Sequence, residues 1–314
     1  MFTTRAFNSI EFRPETGTLI KRSDNERFRN EITYYGKVPS HLQQFFPRVL
    51  ASGEGYAELE YYDYRDLGKR VLTTTDPKFW HSTFKSIKGI LDLFQKESRG
   101  LIPATYLWAM YLDKTENEYH KTAETPEMDH LIEAETLIIN GKVYPNFQLI
   151  KTDVEDLIRT RLVAIAPAWR ITHGDFCLAN ILASYNSDLD YTSIKLIDPR
   201  GSWGEVGVYG DSRYDIAKLY HSLDGGYEYI VSNNYDLEII GNKIDYRFIN
   251  TNKEVVFQIM KDALGISKDD DVTYRLISGL IYIGMIARHY ENLSHQQMFY
   301  ARGIEILNNV LKSV

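Results

Sequence analysis

The chain has 314 residues, of which 44% are hydrophobic and 25% charged, with a formal net charge of −7. That is enough apolar material for one large domain or two lobes. The acidic balance, with no basic run to displace counterions, argues against a nucleic-acid or anionic-membrane surface and leaves room for a neutral or cationic small ligand. Cys177 is the single cysteine, which excludes internal disulfides, and no apolar run reaches membrane-spanning length. The N-terminus does not look like a signal peptide, so a soluble cytoplasmic protein is expected.

In chain order, residues 4–12 read as a strand, followed by a turn at Arg13-Pro14-Glu15-Thr16-Gly17 and a second strand over 18–22. Alternation sets Leu19 and Lys21 on one face of it. Ser23-Asp24-Asn25 is a helix start, and 26–36 reads as a helix that Gly36 and Pro39 end. Two further strands, 46–50 and 56–62, are joined at Ser52-Gly53-Glu54-Gly55 and lead into a hinge at 63–66. Residues 77–96 carry Trp80, Phe84, Ile87, Leu91 and Phe94 near a helical period, so a core-facing helix is expected. A hairpin follows around the favoured turn Asn140-Gly141, then a helix over 154–165. Another hairpin is expected around Gly241-Asn242, and helices over 254–264, 274–290 and 295–310 complete the chain.

Chemistry concentrates between Ile171 and Gly201, in ITHGDFCLANILASYNSDLDYTSIKLIDPRG. The apolar segments at 181–183 and 194–197 flank the turn-rich YNSDLDYTS and read as a β-hairpin. Pairing its strands brings Asn180, just before the first, close to Asp198, just after the second. An amide oxygen and a carboxylate so placed suit Mg²⁺, which takes few protein ligands and leaves other positions to water and phosphates. Asp175 then stands beside the metal without ligating it, where a base for an attacking hydroxyl belongs.

HGDFCLAN resembles the catalytic loop of the aminoglycoside phosphotransferase and choline kinase family, small-molecule kinases with a protein-kinase-like fold. LIDPRG is similar to the family's metal-binding strand end, and GDSRYDIAKLYHS, from Gly210 to Ser222, to its next signature. The resemblance implies an α+β, two-lobed fold: an antiparallel-sheet N-terminal lobe with one helix over 1–62, and a larger, mainly helical lobe over 63–314. It implies Asp175 as catalytic base and Asn180 and Asp198 as Mg²⁺ ligands. Lys21 would contact the nucleotide phosphates and Glu31 would pair with it, while the hinge would meet the adenine. His173 is expected to fix the loop, and Asp215 to hold the loop through its backbone amides. Asp211 caps the helix near Tyr214, and Cys177 is a small packed side chain.

The family's glycine-containing phosphate loop is reduced here to Gly17, so phosphate grip falls to Lys21 and a few amides near Asn8 and Ser9. The implied partners are ATP or GTP and a hydroxyl-bearing metabolite. The run DPRGSWGEVGVYGD resembles family members associated with bacterial surface-polysaccharide assembly, which points to a sugar, polyol or amino-alcohol precursor. Arg200, Trp203 and Tyr209 either line the acceptor pocket or order their loop. Two other readings stand beside this one: a non-catalytic kinase-like binding protein, and a metal-dependent hydrolase using His173, Asp175 and Asp198.

Overall fold

A computed structural model describes residues 9–314. The chain divides into two compact units, one made of residues up to Arg70, Asp76–Gly100 and Ala168–Asp215, the other of Val71–Thr75, Leu101–Pro167 and Ile216–Val314.

The first unit opens with β1 (Ser9–Arg13) and β2 (Thr18–Arg22), then α1 (Glu26–Lys37), β3 (Val49–Gly53) and β4 (Tyr56–Glu60). Residues 4–8 of the first expected strand, and Asn8 with them, lie outside the described residues. The four strands form an antiparallel sheet in the order β1-β2-β4-β3. A tight turn links β1 to β2, with the Gly17 amide donating to the Arg13 carbonyl at 2.9 Å and Gly17 at φ +64°. Such a φ suits glycine, which has no Cβ to clash. β3 begins at Val49 rather than residue 46 and runs through Gly53, with a bulge between Val49 and Ala51, so only Glu54-Gly55 is left for the turn. Pro47, lacking an N–H, cannot join the ladder.

Helix α1 starts where Asn25 Oδ1 accepts the Arg27 amide at 2.8 Å. It passes through Gly36 to Lys37, and Val38, held extended by the following Pro39, ends it. Its inner face buries Phe28, Glu31, Tyr34 and Tyr35.

Short strand β5 (Arg65–Asp66) leads into α2 (Leu67–Val71). α3 (Pro77–Lys96) has Asp76 accepting the Lys78 amide and Pro77 in its first turn, where the missing N–H costs nothing. Its apolar stripe is buried, with Phe84 and Ile87 fully so. The hairpin of Ile181–Asn186 and Tyr191–Leu196 pairs in the register Ile181 to Leu196 through Asn186 to Tyr191. Its first strand also takes β5, with Leu182 opposite Asp66 and Ala183 opposite Arg65. Part of the segment expected as a hinge, Arg65–Asp66, is therefore hydrogen-bonded into the hairpin sheet.

In the second unit, the hairpin of Thr136–Ile139 and Lys142–Pro145 turns on Asn140 and Gly141, both at positive φ. It joins the hairpin of Tyr235–Ile240 and Lys243–Phe248 in one four-stranded sheet. The next helix begins at Phe147 rather than 154, because buried Asn146 accepts the Phe147 amide at 2.8 Å, and after Leu157 it widens into a π-helical turn, Ile158–Val163. Helices Lys253–Leu264, Lys268–Ile283 and Leu293–Leu311 follow. The second of these starts six residues before the expected 274, since Ser267 Oγ accepts the Asp270 amide and three aspartates, at 269–271, fill the first turn. Arg302 donates to the carbonyls of Asp224 at 2.9 Å and Gly225 at 3.2 Å and pairs with Glu305. Among the described residues no helix is long and apolar enough to cross a membrane.

Candidate active site

The residues singled out in the sequence converge in the first unit. Lys21, on β2, is 7% exposed, and its ammonium lies 2.7 Å from Glu31 Oε2 and 2.6 Å from Asp198 Oδ1. The strand places the lysine, α1 the glutamate and the end of the 181–196 hairpin the aspartate, so three separate elements meet on one cation. Burial works against the Lys21 charge, but the two carboxylates overcome it and hold its pKa above the usual lysine value. Burial, then the charge of Asp198, push the Glu31 pKa upward, and the Lys21 ammonium opposes them by favouring the carboxylate.

Asp198 sits at φ +55°, a left-handed conformation that aspartate tolerates better than most residues. Its amide donates to Tyr35 Oη at 3.3 Å, and Tyr35 Oη donates to Glu31 Oε1 at 3.4 Å. Tyr35 thus ties α1 to Asp198 through a second route.

The loop 173–180 is fixed mainly through its backbone. Asp215, 1% exposed, accepts the amides of His173 at 2.7 Å and Gly174 at 2.8 Å. Asn180 Nδ2 donates to the Asp175 carbonyl at 2.9 Å, and the Asn180 carbonyl accepts the Ile197 amide at 3.0 Å. These two bonds bind the loop to itself and to the strand that carries Asp198. His173 is fully buried; Nδ1 accepts the Asp175 amide at 3.3 Å, and its environment includes the Ile197 carbonyl. Burial pushes its pKa down to about 4, so the ring is neutral at neutral pH.

Two glycines permit close packing at this point. Gly174 is at φ +75°, and a Cβ on it would meet the Arg200 side chain at 2.8 Å. Gly201 is at φ +67°, and a Cβ there would sit 2.1 Å from the Asn30 carbonyl oxygen of α1. The Arg200 amide donates to the His173 carbonyl at 2.8 Å, and Trp203 is buried edge-on to Trp169. Arg200 is thereby bonded to the loop, and Trp203 packs on the strand that precedes it. Asp211 Oδ1 accepts the Arg213 amide at 3.0 Å at the start of helix Ser212–Leu223, and Cys177 is buried.

One participant escaped the sequence reading. Arg27, in the first turn of α1, pairs with Asp175 Oδ2. Its pKa is raised first by the charge of Asp175, against burial, with Asp198 contributing further. A signal was present: a cation in a helix's first turn opposes the macrodipole and so suggests a partner elsewhere. Arg27 and Glu31 are four residues apart and share one face of α1, meeting Asp175 and Lys21 respectively.

Oxygen donors set the chemistry open to the site. Asp198 keeps a half-exposed side chain, and Asn180 precedes the hairpin strand whose first residue, Ile181, pairs with Leu196. A carboxylate and an amide oxygen are hard ligands that fit Mg²⁺. His173 is turned into the core, away from any ligand role. Among the described residues, no three His, Cys, Asp or Glu side chains are grouped so as to hold a metal ion.

No protein-family model and no curated protein matches this sequence. Likeness to solved structures is clear in the fold. The GDP complex of aminoglycoside 2'-phosphotransferase-IIIa superposes with a TM-score of 0.56 over 99% of this chain and 91% of its own, at 10% identity. The streptomycin–ATP ternary complex of APH(2'')-IIa gives 0.52 over 95% and 91%, at 12% identity. Ethanolamine kinase from Plasmodium vivax gives 0.50 over 98% and 82%, at 14% identity. The chain has the α+β, protein-kinase-like fold of these small-molecule kinases, with an antiparallel sheet in its N-terminal part and mainly helices in its C-terminal part.

Proposed function

We propose that this protein is a small-molecule kinase that transfers the γ-phosphoryl group of ATP or GTP to a hydroxyl of a metabolite. The observation that carries the reading is the Lys21 ammonium held between Glu31 and Asp198, in the same unit as the Asp175 loop. Lys21 is a charge aimed by two carboxylates, suited to nucleotide phosphates. Asp198 and Asn180 would hold Mg²⁺, which once bound neutralises phosphate oxygens. Asp175 accepts the proton of the acceptor hydroxyl as that oxygen bonds to the γ-phosphorus. The bond from γ-phosphorus to the bridging oxygen breaks, and its electron pair leaves with the nucleoside diphosphate. His173 and Asp215 keep the loop in place, and the 1–62 segment serves as the nucleotide lobe of a two-lobed enzyme whose remainder, 63–314, takes the acceptor.

The acceptor we infer is a sugar, polyol or amino alcohol of the kind used to build bacterial surface polysaccharide. That choice draws on the sequence resemblance after Asp198 and on the acidic net charge, which suits neutral or cationic molecules. The hydrolase reading loses support from a His173 ring buried and bonded within its own loop. The non-catalytic reading loses support from the presence of Asp175, Asn180 and Asp198 together.

Calorimetric titration of ATP and GTP, with and without Mg²⁺, tests the reading. Binding that depends on Mg²⁺ in the wild type and is lost in Asp198→Ala is expected, followed by phosphoryl transfer in a screen of sugars, polyols and amino alcohols. Wild-type protein that binds neither nucleotide would overturn it.

A further inference from the structure

Arg27 has no role in the reading above, yet it occupies the carboxylate that reading makes the base. A guanidinium on Asp175 Oδ2 competes with the acceptor proton for the same oxygen. The pair therefore belongs to the state before nucleotide binds. Arg27 is bonded to Asp175, and the charge of Asp198 also favours its charged form. In a phosphoryl transfer the transferred group passes between those two positions.

The short β1–β2 turn sharpens the point. Only Pro14 to Gly17 separate the strands, leaving few backbone amides to cradle phosphate oxygens. Lys21 is already committed to two carboxylates. A forked donor such as arginine can satisfy two phosphate oxygens at once, and it remains charged throughout.

We propose that Arg27 is a catalytic residue that clamps the γ-phosphoryl group, and that Asp175 holds it in place until a nucleoside triphosphate arrives. The inference rests on the kinase reading. On binding, the guanidinium exchanges the carboxylate for the γ-phosphate oxygens, which frees Asp175 to receive the hydroxyl proton. The clamp supplies in a side chain what the shortened turn lacks in backbone amides, and no acceptor is needed to detect it.

Calorimetry with Mg²⁺ and the diphosphates ADP and GDP, set beside their β,γ-imido triphosphates, provides the test. In Arg27→Ala the affinity for the triphosphate analogue is expected to fall by about 10- to 100-fold, the range of a charge-assisted contact, while diphosphate affinity stays as in the wild type. Arg27→Lys, which keeps the charge and loses the fork, should fall between. Asp175→Ala should tighten triphosphate binding several-fold by releasing the guanidinium, and the gain should vanish in the double variant. Equal loss for triphosphate and diphosphate in Arg27→Ala, or loss for neither, would make Arg27 a tether of α1 and end the clamp assignment. If Asp175→Ala gains affinity equally with and without Arg27, the competing pair is refuted. Wild-type protein that binds no nucleotide overturns the kinase reading and the clamp with it, an outcome distinct from a wild type that binds but does not depend on Arg27.

Discussion

Protonating His173 is the perturbation whose size the structure allows to be worked out. A free imidazole titrates near 6.5 and this buried ring at about 4. The cause is burial of the ring, aided by the Arg27 charge, against the charges of Asp175 and Asp198, which favour the protonated form. Because the folded ring binds its proton less readily than the unfolded one, stability is fully present above pH 6.5 and is lost as pH falls toward 4. Between pH 7.5 and pH 4.5 the linkage amounts to about 2.5 kcal/mol. Urea denaturation of wild type and His173→Asn at both pH values isolates this from other titrating groups. The variant, with a smaller side chain in a packed site, should be the less stable protein at pH 7.5. Its deficit should shrink by about 2.5 kcal/mol at pH 4.5, since it has no imidazole to protonate. A deficit that is the same at both pH values would refute the account of His173 as a desolvated, neutral loop anchor.

Two other outcomes follow from the site. Asp175→Ala should lower turnover by about two to four orders of magnitude once an acceptor is known, with diphosphate binding unchanged; wild-type turnover in the variant would remove Asp175 as the base. Gly201→Ala should cost at least about 2–3 kcal/mol in a denaturant titration, because its φ is left-handed and its Cβ would collide with the Asn30 carbonyl. A loss under about 1 kcal/mol would mean that α1 and the strand end are not in the tight contact described.

Much of this architecture could be read from local chemistry. The 181–196 hairpin announces itself by two apolar segments around a polar turn, and α3 by a stripe from Trp80 to Phe94 that the structure buries. The Asn140-Gly141 turn was legible because few residue pairs accept two successive positive φ angles. Boundaries failed where a polar residue does its work out of pattern. Asn146, which starts a helix, lies next to a strand end, and helix Lys268–Ile283 opens on charged residues that an apolar-period reading passes over. At the site, the motif spacing drew attention to Asp175, Asn180 and Asp198. Arg27 has no local pattern of its own, because its partner is 148 residues away. The pairing of β5 with the 181–196 hairpin was hidden for the same reason, since a two-residue strand carries too little alternation to register.

The Lys21–Asp198 contact spans 177 residues of chain, and that span sets an order of events during synthesis. At about 5–20 residues per second, roughly ten to thirty-five seconds separate the appearance of the lysine from that of its aspartate. Through that interval Lys21 and Glu31 have only each other, and Arg27 waits for Asp175 almost as long. The polar cluster around Lys21 therefore cannot be completed before the chain has been made as far as Asp198. A nascent chain arrested before residue 198 should show the β1–β4 sheet with a lysine still open to modification, and release of a further stretch of chain should protect it.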